Sequence, residues 1–257
     1  LESTLEKKQK IILWFSALLI TALLGYYKTV TSAEYPVTGT IAVSGEKVTY
    51  AFEKIFRGKD DFKISLRTDA KELTGSVVWR KEKTKAVDTL QLKKEKGWLL
   101  CSIPLQKPET EIVYNVFLYN KDSVIQIPFN QTLRTKFYGA APASITSTFA
   151  LTFFIGLLLS IRIGLSYFEL HSKAKMFAIF TLISFSLYGL FLVPVKKLFE
   201  LGAVNQAPPQ MLEMFSPAEL SFAFLWLVVS VGMFNSKSKL WNAAGALFTA
   251  AGYLLLH

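Results

Sequence analysis

The sequence predicts a membrane protein with an N-terminal transmembrane helix, an all-β sandwich and then a four-helix transmembrane bundle. Three observations carry this expectation. Hydrophobic residues make up 51% of the 257 and Phe alone supplies 21, giving a mean hydropathy of +0.34, above what a water-soluble domain usually carries. Apolar runs approaching the length of a bilayer crossing cluster towards the two ends. Between them lies a charged segment whose apolar residues recur with period two.

The first run, Ile11 to Tyr27 (IILWFSALLITALLGYY), follows Lys7, Lys8 and Lys10. It is at the lower end of a spanning helix, which needs about 17 to 25 residues. A charged leader, an apolar core and Thr31-Ser32-Ala33 imitate a cleavable signal. The run is longer than a usual signal core, and Tyr26 and Tyr27 stand where an interfacial aromatic belt belongs, so residues 1–30 are expected to be a retained anchor.

Residues 34–137 change character. Phe62, Ile64 and Leu66 alternate with Lys63, Ser65 and Arg67, the pattern of a strand with one buried face. Further strands are expected at Val48 to Phe56, Ser76 to Lys81, Thr89 to Lys93, Trp98 to Ile103, Ile112 to Tyr119 and Val124 to Phe129. Turn residues separate them at Arg57-Gly58-Lys59-Asp60, Lys96-Gly97 and Lys107-Pro108. So many short strands in one domain of this size point to an immunoglobulin-like sandwich. The single Cys101 excludes an internal disulfide, so packing must hold the sheets together.

Residues 142–257 return to the membrane pattern, with spans expected at Ile145 to Tyr167, Met176 to Val195, Leu220 to Phe234 and Leu240 to Leu256 and a periplasmic loop at 196–216. If every span crosses, Lys7, Lys8 and Lys10, then Arg162, Lys173 and Lys175, then Lys237 and Lys239 share one side, the cytoplasmic one. The sandwich then faces the periplasm, and the location expected is a bacterial inner membrane.

Few residues carry chemistry. His171 and His257 fall on opposite faces in this topology, which argues against a bis-imidazole heme or a zinc site, and no phosphate loop, nucleophile elbow or paired-Cys motif occurs. No cofactor and no catalytic residue is expected. Arg162 lies near enough to its span's end to snorkel. The net charge of +10 is dispersed among loops, which suits lipid headgroups better than nucleic acid. Met211 and Met214 are the weak candidates for a metal, copper(I) by their softness, although two thioethers make a thin site. Ser216-Pro217-Ala218-Glu219, a serine cap, a proline suited to the first turn and a glutamate three residues after the cap, reads as a helix start in which Glu219 needs no catalytic role.

One pattern points to association. Ser144, Thr148, Thr152, Gly156, Ser160 and Gly164 place a small or hydroxyl residue at every fourth position of SITSTFALTFFIGLLLSIRIG. In lipid, helices associate through close backbone approach, which a small ridge permits. The partner is expected to be the chain's own fifth helix, with small residues from Ala243 to Gly252, or else a neighbouring subunit.

The run LRTKFYGAAPASITSTFALTFFIGLLLSIRIGL resembles the junction of an uncharacterised family of bacterial inner-membrane proteins that join an extracytoplasmic β-sandwich to a helical bundle. Lys136-Phe137-Tyr138-Gly139 with Pro142 approximates that family's RFxG-then-Pro pattern, and Leu158 to Leu165 fits its LLSxRxGL. The resemblance implies an architecture and no reaction. The function expected is a non-catalytic accessory or scaffold subunit of a larger inner-membrane complex, plausibly an energy-transducing one. Its partners would be other integral membrane subunits, lipids and a periplasmic protein at the sandwich, with no nucleic acid. The alternatives are a periplasmic metal or cofactor delivery factor using Met211 and Met214, and a transporter component.

Overall fold

The structure, a computed structural model, describes residues 2–43, 45–70, 72–120, 123–169, 173–204, 209–236 and 238–255. His171, Lys237 and His257 lie outside the described residues, as does the last residue of the Leu240 to Leu256 span. The chain divides into a helical unit (Leu1–Ser32, Ala141–Leu198, Ala203–His257) and a β unit (Ala33–Ala140, Phe199–Gly202).

The β unit is a two-sheet sandwich. The first sheet has the order β1 (Val37–Val43), β2 (Glu46–Phe52), β4 (Phe62–Thr68), β8 (Trp98–Ile103), β7 (Lys93–Glu95). The second runs β3 (Ile55–Phe56), β11 (Leu133–Phe137), β9 (Glu111–Asn120), β5 (Thr74–Lys81), β6 (Asp88–Gln91), and β10 (Ser123–Ile127) pairs with the far end of β9. Every described pairing is antiparallel except β3 with β11. The alternation seen in sequence is the burial pattern: Phe62, Ile64 and Leu66 of β4 are buried while Lys63 and Arg67 are exposed. Across the core they meet Ile112, Tyr114, Val116 and Leu118 of β9. Each such side chain, fully buried, stabilises the fold by about 1.5 to 3 kcal/mol. The Lys96-Gly97 turn has φ of 44° and 83°, the left-handed pair that closes a two-residue hairpin between β7 and β8.

Several strands depart from expectation, for one reason. The segment Val48 to Phe56, expected as one strand, divides into β2 and β3 in opposite sheets, and Thr89 to Lys93 divides into β6 and β7 in opposite sheets around buried Leu92. Period two records which residues are buried, and a chain that crosses the core between sheets keeps burying them. Strands β1 and β11 were not expected, and Val124 to Phe129 ends at Ile127 before Pro128, which cannot donate to a ladder.

The helices are α1 (Glu2–Thr31), α2 (Ala143–Leu165), α3 (Ala174–Leu187), α4 (Val193–Glu200), α5 (Met211–Met214), α6 (Pro217–Asn235) and α7 (Leu240–Leu255), of which only the last two residues of α4 fall outside the helical unit. A wide π turn, Tyr188–Leu192, joins α3 to α4 just before Pro194, where an ordinary turn would press the proline ring onto the carbonyl four residues back. Among the described residues, four helices are long and apolar enough to cross a membrane: Glu6–Thr31, Ala143–Phe168, Ala174–Glu200 and Pro217–Asn235. The last expected span, α7, has 16 residues and falls short of that length. Residues 196–200, expected in a loop, are helical, and Phe199–Gly202 belongs to the β unit, where Gly139 N–H donates to the Glu200 carbonyl (2.7 Å) and Arg57 pairs with Glu200 (3.0 Å) and Glu34 (3.5 Å).

Candidate functional site

The ridge of small residues on α2 is divided between two environments. At Gly156 a Cβ would come within 2.9 Å of the Phe185 ring of α3, and at Gly164 it would collide with Ala246 Cβ of α7. Ser160, between them, is fully buried, and the Thr152 carbonyl accepts a hydrogen bond from Ser184 Oγ of α3 (2.7 Å). Ser144 and Thr148 are exposed. The lower ridge therefore seats two helices of the same chain, α3 as well as the expected α7. An aromatic layer adjoins it, with Phe185 stacked on Phe222 at 5.3 Å and Phe153 edge-on to both.

Below the ridge lies a buried polar group centred on Arg162, which was expected to reach the membrane surface. Arg162 is 2% exposed, so it is buried in protein and does not snorkel. Its Nη2 donates to Glu169 Oε1 (2.5 Å), a carboxylate 5% exposed and seven residues on, brought back by the 3₁₀ turn Ser166–Phe168. Trp14 of α1 lies with its ring 5.4 Å from the guanidinium carbon. Ser166 Oγ donates to the Ile163 carbonyl (2.6 Å) and accepts from Asn242 Nδ2 of α7 (3.0 Å), while Lys239 Nζ donates to the Glu169 carbonyl (2.5 Å). Arg162 Nε and Nη1 have no hydrogen-bond partner among the described residues. The arrangement fastens α1, the end of α2 and the start of α7 to one another. A carboxylate just past an arginine-bearing helix end was the available sequence signal, but spacing alone does not reveal that a turn will fold it back.

The remaining candidates are isolated. Met211 is 76% exposed on the one-turn helix α5, and Met214 is half-buried. Among the described residues no cluster of three His, Cys, Asp or Glu side chains could hold a metal. Ser216 takes the N-cap position of α6 with Pro217 in the first turn, but no side-chain cap hydrogen bond forms. The helix starts where expected, and Glu219 Oε2 is buried without a hydrogen-bond partner among the described residues. In the β unit, burial pushes the Cys101 thiol up to about 11 and raises the Tyr114 phenol, keeping both neutral.

No protein-family model matches the sequence, and no curated protein does. Likenesses to solved structures are slight. The crystal structure of the Br derivative of BhCBM56 aligns with 41% of this chain and 95% of its own (7% identity, TM-score 0.25). A myokine structure covers 41% of this chain and 97% of its own at 12% identity and TM-score 0.22. A beta-1,2-glucanase from Parabacteroides distasonis covers 85% of this chain and 34% of its own at 9% identity and TM-score 0.21. At these TM-scores they define neither a fold family nor an activity.

Proposed function

We propose that this chain is a non-catalytic accessory or scaffold subunit of a bacterial inner-membrane complex, with its helical unit in the bilayer and its sandwich on the extracytoplasmic side. The observation that carries the proposal is the exterior of the helical unit. Large apolar side chains stand outward on every long helix, among them Phe15 of α1, Leu151 of α2, Phe180 of α3, Phe224 of α6 and Phe248 of α7, all more than half exposed. Such a surface suits lipid and neighbouring helices far better than water. The strongest polar pair, Arg162 with Glu169, turns inward and is engaged in joining helices, a use that favours a scaffold over a reaction centre.

The strand order supports the immunoglobulin-like reading of the sandwich. Strands β2, β4, β8 and β7 correspond in order to A, B, E and D of that fold, and β11, β9, β5 and β6 to G, F, C and C′, with β1 added at the edge. Domains of this kind commonly serve as contact modules. The test is extraction of the full-length protein in a mild detergent, followed by sizing and identification of what accompanies it. A stable larger assembly containing other membrane subunits is expected. Migration as a lone polypeptide, or release from the membrane by alkaline carbonate, would overturn the reading.

A further inference from the structure

We infer that β1 is an association edge at which two copies of this chain pair strand to strand, joining two five-stranded sheets into one. Hydrogen-bond direction sets which residues of β1 face the edge. Thr68 N–H of β4 donates to the Gly97 carbonyl on the β8 side (2.9 Å), and backbone groups along a strand alternate in direction. Arg67 therefore points to β2 and is the hydrogen-bonded partner of Thr49 in their register. Val48 and Tyr50 then point to β1, where they face Ile41 and Gly39. It follows that Thr38, Thr40 and Ala42 direct their N–H and C=O groups away from β2, to the edge of the sheet, where no further strand pairs among the described residues.

Sheet edges are ordinarily blunted by charge, proline or a bulge. Strand β1 reads Val37-Thr38-Gly39-Thr40-Ile41-Ala42-Val43 and carries none of these, and its seven-residue register with β2 is unbroken. A free, uncharged, β-branched edge is a template for an added strand. A second copy of the strand satisfies this edge. In an antiparallel pair centred on Thr40, Val37 meets Val43, Gly39 meets Ile41 and Thr38 meets Ala42, each with a residue from the same face of the sheet. Thr40 meets its own counterpart across the two-fold axis. Since Thr40 directs its backbone groups outward, the two residues on the axis exchange both hydrogen bonds, as the symmetry of such a pair requires. No charge meets a like charge anywhere in this register. Confinement to one bilayer, which rests on the function proposed above, would raise the effective concentration of the two edges.

Full-length protein in its native membrane tests this. Thr40→Cys is treated with a mild oxidant, beside the parent, whose Cys101 is buried, and Thr49→Cys, one strand further in. Hydrogen-bonded residues across such a pair lie about 5.5 Å apart at Cα, within disulfide reach. Most of the Thr40→Cys protein should run at twice the monomer mass, with roughly tenfold less dimer for Thr49→Cys. Thr40→Pro removes an amide that faces the edge and should leave the melting temperature unchanged while abolishing the dimer in mild detergent. If that variant melts early, Thr40→Lys, which sets two ammonium groups against each other, takes its place. Equal crosslinking at positions 40 and 49, a Thr40→Cys adduct with a different protein, or a dimer indifferent to Thr40→Pro and Thr40→Lys would each overturn the inference. Release by carbonate with the crosslink intact would sink the membrane reading and leave the edge pairing standing.

Discussion

At the scale of single residues, the α2 ridge makes the sharpest claim. A Cβ at Gly156 already crowds Phe185, so Gly156→Leu is expected to push α3 away and cost about 1 to 3 kcal/mol, whereas Thr148→Leu, at an exposed position, should be near neutral. Thermal unfolding of the two variants in detergent checks this, and equal stability would show that the ridge is not packed. The spacing of small residues was legible in the sequence. Which helix each one receives was not, because Phe185 and Ala246 reach the ridge from segments about 30 and 80 residues away. Cys101 offers a second test. Burial raises its thiol to about 11 from 9.0, so thiol reagents at pH 8 should leave it unmodified until the protein is unfolded. Because the folded state holds this proton more tightly, its contribution to stability is present below pH 9 and is lost as pH rises towards 11. Cys101→Val should flatten that part of the profile relative to the parent.

Between elements, the buried ion pair sits where α1, the end of α2 and the start of α7 are held together. Removing one partner leaves the other charge buried and unmatched, so Arg162→Met and Glu169→Leu should each be strongly destabilising, by about 3 to 5 kcal/mol, and the double variant much less so than their sum. Additive losses in the double-mutant cycle would mean that the two groups do not act as a pair. The one-turn helix α5 is expected to do little chemistry: with Met211 mostly in the open, copper(I) titrated in competition with a chelator should show no sub-micromolar site lost on Met214→Ala. Such a site would bring metal delivery forward as a function. The sandwich shows where element-scale reading of the sequence fails. Strands with one clear face, such as β4 and β9, were legible from alternation, while the paired segments β2–β3 and β6–β7 each change sheet without breaking the run of apolar residues.

For the molecule as a whole, the topology proposed from the basic clusters would set the sandwich and the lysines around the start of α3 on opposite sides of a bilayer. An impermeant thiol reagent applied to intact spheroplasts should label Lys85→Cys, in an exposed loop of the sandwich, and should reach Lys175→Cys, exposed at the start of α3, only after permeabilisation. The reverse pattern would invert the orientation. Labelling of both without permeabilisation would remove the case for a closed membrane between them.

The sequence by itself determined the composition class, the presence of an N-terminal helix, the strand-rich centre and the apolar helices after it. These follow from periodicities imposed by covalent geometry, two residues per strand repeat and 3.6 per helical turn, which any stretch displays without reference to the rest of the chain. Tertiary structure decided everything that depends on a distant partner. It assigned strands to sheets, returned Phe199–Gly202 to the β unit, seated α3 on Gly156, and drew Glu169 back onto Arg162. The physical reason is that burial and pairing energies are won by non-local contacts: an arginine near a helix end reads the same in sequence whether it reaches solvent or closes on a carboxylate, and only the turn that follows, together with Trp14 packed over it, settles which.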